Sequence, residues 1–143
     1  MNIELTALIG RLLLAAALGA VIGFEREMRQ KEAGLRTNML ITMGSALFTI
    51  MSMELATGPG ADRTRVASQI VTGIGFLGGG AILHEKGSVK GLTTAATIWM
   101  NAAIGITAGT GRHWLAIAAT VITLLTLTAL FPFEKWLEKR NLK

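Results

Sequence analysis

Residue types that ordinarily carry catalysis are sparse in this chain. Its 143 residues include no cysteine and two histidines, His84 and His113. Without cysteine there is no thiol nucleophile, thiolate metal site or disulfide framework. The histidines fall in loops that the hydropathy pattern puts on opposite sides of a bilayer, too far apart to share a metal. No His-Glu-x-x-His or other paired-ligand motif occurs, and Ser45, Ser52 and Ser68 have no base nearby in sequence. A magnesium path wants several oxygen ligands, normally carboxylates with retained water, and the apolar stretches offer only Glu54, at an edge. These residues predict no enzymatic activity, no cofactor and no metal site.

Gly73–Gly78 reads Gly-Ile-Gly-Phe-Leu-Gly and literally matches the dinucleotide-binding fingerprint. That fingerprint needs a strand before it, a helix opening at it and an acid about 20 positions later to hold a ribose hydroxyl. Leu92–Asn101 contains no acid, and the neighbouring segments look like membrane spans. Close helix packing in lipid accounts better for these glycines, because a missing side chain lets two backbones approach.

The elements around these residues follow from composition. Hydrophobic residues make up 51% of the chain and charged residues only 16%, unlike an ordinary soluble domain. The apolar load falls in blocks of about 18–20 residues, long enough to cross the hydrocarbon of a bilayer. An all-α, polytopic bundle in one domain over residues 1–143 is expected, with spans at about 5–24, 38–56, 66–83, 92–109 and 114–133. The first span is not a cleavable signal peptide, because no basic residue precedes its apolar core and no small-residue cleavage site follows.

The formal charge of +5 is explained by placement and not by nucleic acid. Arg26, Arg29, Lys31 and Arg36 lie between the first two spans, and Lys135, Lys139, Arg140 and Lys143 follow the fifth. With the N-terminus outside, these join Lys86 and Lys90 to put ten basic residues inside, against Arg63, Arg65 and Arg112 outside. The positive-inside rule then gives N-out, C-in. It also requires an even number of crossings between the first loop and the tail. Spans three and four therefore both cross, or both dip and return; two crossings are the expectation, since irregular backbone at depth must be buried in protein or line water.

Small residues predict how the spans pack. Gly19/Gly23, Gly75/Gly79 and Gly105/Gly109 are each four apart, so each pair shares a helix face. All three are expected to pack within the monomer, although such a face can also support a dimer. At the end of the first span, Glu25–Arg29 and Glu27–Lys31 have i,i+4 spacing. Asp62 stands where it can N-cap the third span, beside Arg63 and Arg65, which can meet lipid phosphates. Arg11 is shallow enough to snorkel outward or to meet Glu54. Asn101, halfway along the fourth span, and Gln69, in the first turn of the third, can each form interhelical hydrogen bonds of about 1 kcal/mol.

Several ordered motifs carry a family resemblance. Gly23-Phe24-Glu25-Arg26-Glu27 and Ala33-Gly34-Leu35-Arg36-Thr37 are followed by Gly44–Thr49, Arg65–Ile70, Gly73–Gly78 and Val89–Trp99. Together, over about residues 5–125, they resemble the MgtC/SapB membrane proteins of bacteria. The resemblance implies a bacterial cytoplasmic (inner) membrane protein linked to magnesium-limited growth and survival inside host cells. It implies a regulator of other membrane proteins more than a transporter, with the F-type ATP synthase or a magnesium transporter as partner; a homodimer through one of the small-residue faces is a separate expectation. The branch that restrains the ATP synthase carries a soluble C-terminal domain and tends to have asparagine where this chain has Thr93; this chain resembles the short SapB-like form. Glu25, Arg26, Glu27, Arg36, Asp62, Arg65, Gln69, Thr93 and Asn101 are the candidate structural or interaction residues. The second reading is a small ion or solute transporter with the third span and Asn101 beside its path.

Overall fold

A computed structural model of the chain describes residues 4–85 and 88–141. Five helices follow in order: α1 (Leu5–Met28), α2 (Leu35–Leu55), α3 (Arg65–Gly80), α4 (Leu92–Gly109) and α5 (His113–Asn141). Between α3 and α4, strands β1 (Leu83–Glu85) and β2 (Ser88–Lys90) form an antiparallel hairpin in which His84 faces Val89. The loop between the third and fourth expected spans thus carries a small hairpin, while Lys86 lies outside the described residues, as does Lys143.

Among the described residues three helical segments, Leu5–Met28, Leu35–Leu55 and His113–Phe133, are long and apolar enough to cross a membrane. Large apolar side chains cover their outward faces, among them Leu13, Leu40, Phe48 and Ile122. In lipid such a surface has no solvation cost, and helices satisfy every interior backbone group themselves. α3 has 16 residues, which at 1.5 Å per residue is about 24 Å. It is one continuous helix and contains the whole of Gly73–Gly78. The strand–turn–helix geometry of a nucleotide fingerprint is therefore not present at that run.

α2 occupies the middle, packed on α1, α4 and α3, while α5 lies against α1 and α4. One apolar cluster joins Ala15, Leu18 and Ile22 of α1 with Ala46, Ile104, Ala108 and Ala116. A second joins Ile41 of α2 and Ile98 and Ala102 of α4 with Ile70 and Ile74 of α3. α2 and α4 contribute to both clusters, so these two helices are the spine.

Two helix ends show why the chain turns where it does. At the end of α1, Gln30 takes a positive φ of 53°, Lys31 N–H donates to Arg26 C=O and Gln30 N–H to Glu27 C=O. This Schellman arrangement satisfies two carbonyls that would otherwise lack partners. It also lets α1 run four residues beyond the expected end of its span. At the end of α4, Gly111 (φ 83°) makes the same turn, with Arg112 N–H on Thr107 C=O and Gly111 N–H on Ala108 C=O. α5 likewise continues past the expected end at Phe133, with Pro132 inside it.

The glycine pairs divide. A Cβ on Gly19 would stand 2.7 Å from Asn38 O, one on Gly23 2.8 Å from Leu35 Cα, one on Gly105 2.7 Å from Ser45 Cβ and one on Gly109 2.7 Å from Ala46 O. Those four positions let α1 and α4 close on α2. Gly75 and Gly79 differ: nothing lies within 4 Å of a Cβ at either. The expectation of internal packing at that pair is corrected, and the reason is helical phase. The buried row of α3 is Ile70, Ile74 and Gly78, spaced by four, and Gly78 is the glycine that approaches Ala95. Gly75 and Gly79 lie one residue further round the helix, off that row.

Candidate functional site

Two of the family-like motifs, Gly23–Glu27 and Ala33–Thr37, meet the beginning of a third, Val89–Trp99, at the end of the bundle where α1 ends, α2 begins and α4 begins. Arg26 is 3% exposed and donates through Nε to Glu25 Oε2, while Arg29 pairs with the other oxygen of Glu25 as its i,i+4 partner. Arg29 also stands over the Phe131 ring at 4.2 Å, joining this end of α1 to α5. A half-buried carboxylate between two guanidiniums adds little net stability, yet removing one partner strands a charge.

Glu27 does not pair with Lys31 as its spacing suggested. Its Oε2 accepts the Leu35 backbone N–H at 2.9 Å and so caps the start of α2. A negative group there satisfies a free N–H and complements the helix dipole. Gly34 permits this, because a Cβ on it would overlap the Glu27 carboxylate. Arg36 and Thr93 are exposed, and Thr93 contributes its carbonyl to the Thr97 hydroxyl. Glu32 accepts from the Thr94 hydroxyl at 3.3 Å, linking the first loop to α4.

The residue that organises this end is one that sequence reasoning missed. Asn38 is fully buried; its Nδ2 donates to Ala33 O (2.6 Å) and Gly34 O (2.7 Å), and its Oδ1 accepts from Asn101 Nδ2. One amide thus ties the α1–α2 turn to the middle of α4. Asn101 is also fully buried, and its own Oδ1 has no hydrogen-bond partner among the described residues. From Asn38 a polar row continues along α2 through Thr42, Ser45, Thr49 and Ser52, all buried. Thr42 and Thr49 return their hydroxyls to the carbonyls four residues back.

The opposite end holds the remaining candidates. Ser52 Oγ donates to Arg63 O at 2.7 Å and accepts from the N–H groups of Val66 and Ala67. A side chain of α2 therefore caps α3. Asp62 does not N-cap α3 directly; its Oδ1 takes the hydroxyl (2.7 Å) and N–H (2.8 Å) of Thr64 in the preceding turn. Those two bonds, the hydroxyl's first, hold the Asp62 carboxyl below its ordinary range. Since the folded value is lowered, this contribution is in place above the ordinary carboxylate range and is lost as pH falls through the folded value. Arg65 and Gln69 are exposed. Arg11 meets neither solvent alone nor Glu54: its Nη1 donates to Gly109 O at 2.8 Å, a cation on the carbonyl end of α4.

Two apolar clefts flank α3. The first, about 460 Å³, lies between α2 and α3 and is lined by Leu40, Gly44, Phe48, Gln69, Gly73 and Leu77. The second, about 650 Å³, runs beneath the α1–α2 turn along Thr37, Gly75, Phe76, Gly79 and Ile98, with Glu32 at its rim. His84 and His113 sit at opposite ends of the fold, in β1 and at the start of α5. Among the described residues no three His, Cys, Asp or Glu side chains are grouped to hold a metal.

Comparison with known proteins gives this geometry a context. A model described as "MgtC family" matches residues 12–136. YhiD of Escherichia coli K12, whose name carries a provisional assignment as a magnesium transporter, is 50% identical over 137 residues, 92% of this chain and 64% of YhiD. Protein MgtC of Salmonella typhimurium strain 14028s is 52% identical over 114 residues, 79% of this chain and 48% of that protein. The protein slr0014 of Synechocystis is 46% identical over 127 residues, 89% of this chain and 53% of its own length. This chain spans about half to two thirds of these relatives' lengths. No solved structure matches it.

Proposed function

We propose that this chain, which belongs to the MgtC family, is a non-enzymatic membrane regulator that binds another membrane protein through the clefts beside α3. The observation that carries this reading is the state of α3. It is fastened to the bundle by one row, Ile70, Ile74 and Gly78, while Gly73, Gly75, Gly79 and Gly80 have nothing within 4 Å of a Cβ. Bare helix faces bordered by Leu40, Phe48, Phe76 and Leu77 suit a second transmembrane helix, because association in lipid relies on close backbone approach. In this reading the charged cluster at Glu25, Arg26, Glu27 and Arg36 sets the register of the bundle at the cytoplasmic face. The chain lies in the bacterial inner membrane with five crossings, N-terminus out. Its partner is the F-type ATP synthase or a magnesium transporter, and a homodimer uses the same faces.

A second reading, magnesium or solute transport, draws on the name of YhiD and on the buried polar row ending in the unpaired Asn101 Oδ1. One experiment separates the two. A photocrosslinking residue at Phe76, which is 85% exposed, should capture a specific membrane protein under magnesium starvation, while the same probe at Leu13 of α1 should not. Purified protein in liposomes should show no magnesium entry above empty vesicles. Flux that disappears in Asn101→Leu, with no capture at Phe76, would establish transport instead.

A further inference from the structure

At the end of the bundle where α1 begins and α4 ends, a cleft of about 490 Å³ opens between α1 and α5. Its mouth carries Arg11, His113 and Trp114, and its inner walls are Leu14 and Ile117. Arg11 is oriented before any ligand arrives. One arm of its guanidinium is held on Gly109 O at 2.8 Å, and Gly111 packs so closely that a Cβ there would come within 2.8 Å of Nη2. A guanidinium has five N–H donors, and no other described group accepts from this one. Gly10, beside it, has nothing within 4 Å of a Cβ, so the space in front of the arginine is open. The acid nearest along α1, Glu4, lies about two turns away and takes the Thr6 hydroxyl.

A fixed cation at the mouth, an aromatic ring that is 84% exposed beside it and aliphatic walls one turn deeper describe the complement of an anionic amphiphile. Tryptophan and arginine at a helix end also belong to the headgroup level of a bilayer. We infer that the α1–α5 cleft is a binding site for an anionic phospholipid, with the lipid phosphate on Arg11 and His113 and an acyl chain along Leu14 and Ile117. The bridging arginine would couple lipid occupancy to the end of α4, because the same guanidinium holds Gly109.

The test uses the full chain in nanodiscs, with Trp99→Phe and Trp136→Phe so that Trp114 alone fluoresces. Phosphatidylglycerol with brominated acyl chains should quench Trp114 more strongly than brominated phosphatidylcholine at equal mole fraction. Arg11→Gln should weaken that preference about tenfold, as expected for loss of a charge-assisted hydrogen bond. Because Arg11 also holds α4, a second variant, Gly10→Leu, fills the open space without touching the guanidinium and should also remove the preference. Lys31→Gln, an exposed cation in the α1–α2 turn at the other end of the bundle, should leave it intact. Equal quenching by the two lipids would overturn the site, as would a preference that survives Gly10→Leu or is lost equally in Lys31→Gln. Full displacement of the brominated lipid by inorganic phosphate would overturn the assignment to a lipid.

Discussion

Replacing Asn38 with leucine should destabilise the bundle far more than replacing Asn101, although the two amides touch. Asn38→Leu removes the donors to Ala33 O and Gly34 O and leaves the whole Asn101 amide without a partner. Gly34 O keeps its backbone bond from Asn38 N–H, so Ala33 O and Asn101 Nδ2 are the groups newly stranded. At about 1–3 kcal/mol for each of these two buried unsatisfied groups, the loss is about 2–6 kcal/mol. Asn101→Leu strands Asn38 Oδ1, yet it also removes Asn101 Oδ1, an acceptor that is already unpaired. Those two terms offset, leaving the interhelical bond itself, about 1 kcal/mol or less. The double variant should then be more stable than the sum of the single losses predicts, by about 1–3 kcal/mol, because Ala33 O is the one group it leaves stranded and neither side-chain amide is. Reversible unfolding in mixed micelles, followed by circular dichroism, measures all three. Equal losses for the two single variants, or strict additivity, would show that Asn38 is not the centre of this network.

Two further outcomes follow from the fold. Gly105→Leu should lose about 1–3 kcal/mol by overpacking against Ser45 and Thr42, whereas Gly75→Leu should be near neutral in the same assay; the reverse order would mean α3 packs differently. For orientation, cysteines at Gln30 and Asn141 should resist an impermeant thiol reagent in intact cells while one at Ala61 reacts, and labelling of Gln30 before lysis would contradict an N-out arrangement.

Helix existence was legible because long apolar blocks leave lipid-embedded chain little alternative, and the expected limits of the fourth span coincide with α4. Ends were less legible. α1 reaches Met28 because its last turn finds caps in Gln30 and Lys31, and hydropathy stops counting once charges begin. Spacing by four correctly put Gly19/Gly23 and Gly105/Gly109 on shared faces, but for Gly75/Gly79 it could not say which face meets the bundle. Ile70 and Ile74, one phase away, carried that information. The polar row was available as well: Asn38, Thr42, Ser45, Thr49 and Ser52 repeat at intervals of four and three. Reading those serines as would-be nucleophiles, and Asn38 as a mere span boundary, hid a stripe whose period is that of a buried helix face. Glu27 capping α2 depends on the path of the turn, which i,i+4 arithmetic does not contain.

The cap that Ser52 supplies to α3 bears on biogenesis. The first N–H groups of any helix lack intrahelical acceptors, and in hydrocarbon such groups cost several kcal/mol when left bare. For α3, with 16 residues, two of them bind a hydroxyl belonging to α2. On the proposed five-crossing arrangement α2 is made first, so its hydroxyl is available when α3 inserts, and insertion of α3 is expected to depend on its predecessor. A fusion in which α3 follows an unrelated apolar helix should therefore integrate less efficiently than α3 behind α2, and Ser52→Ala should reproduce part of that defect. Equal integration in glycosylation mapping would show that α3 enters the bilayer on its own hydrophobicity.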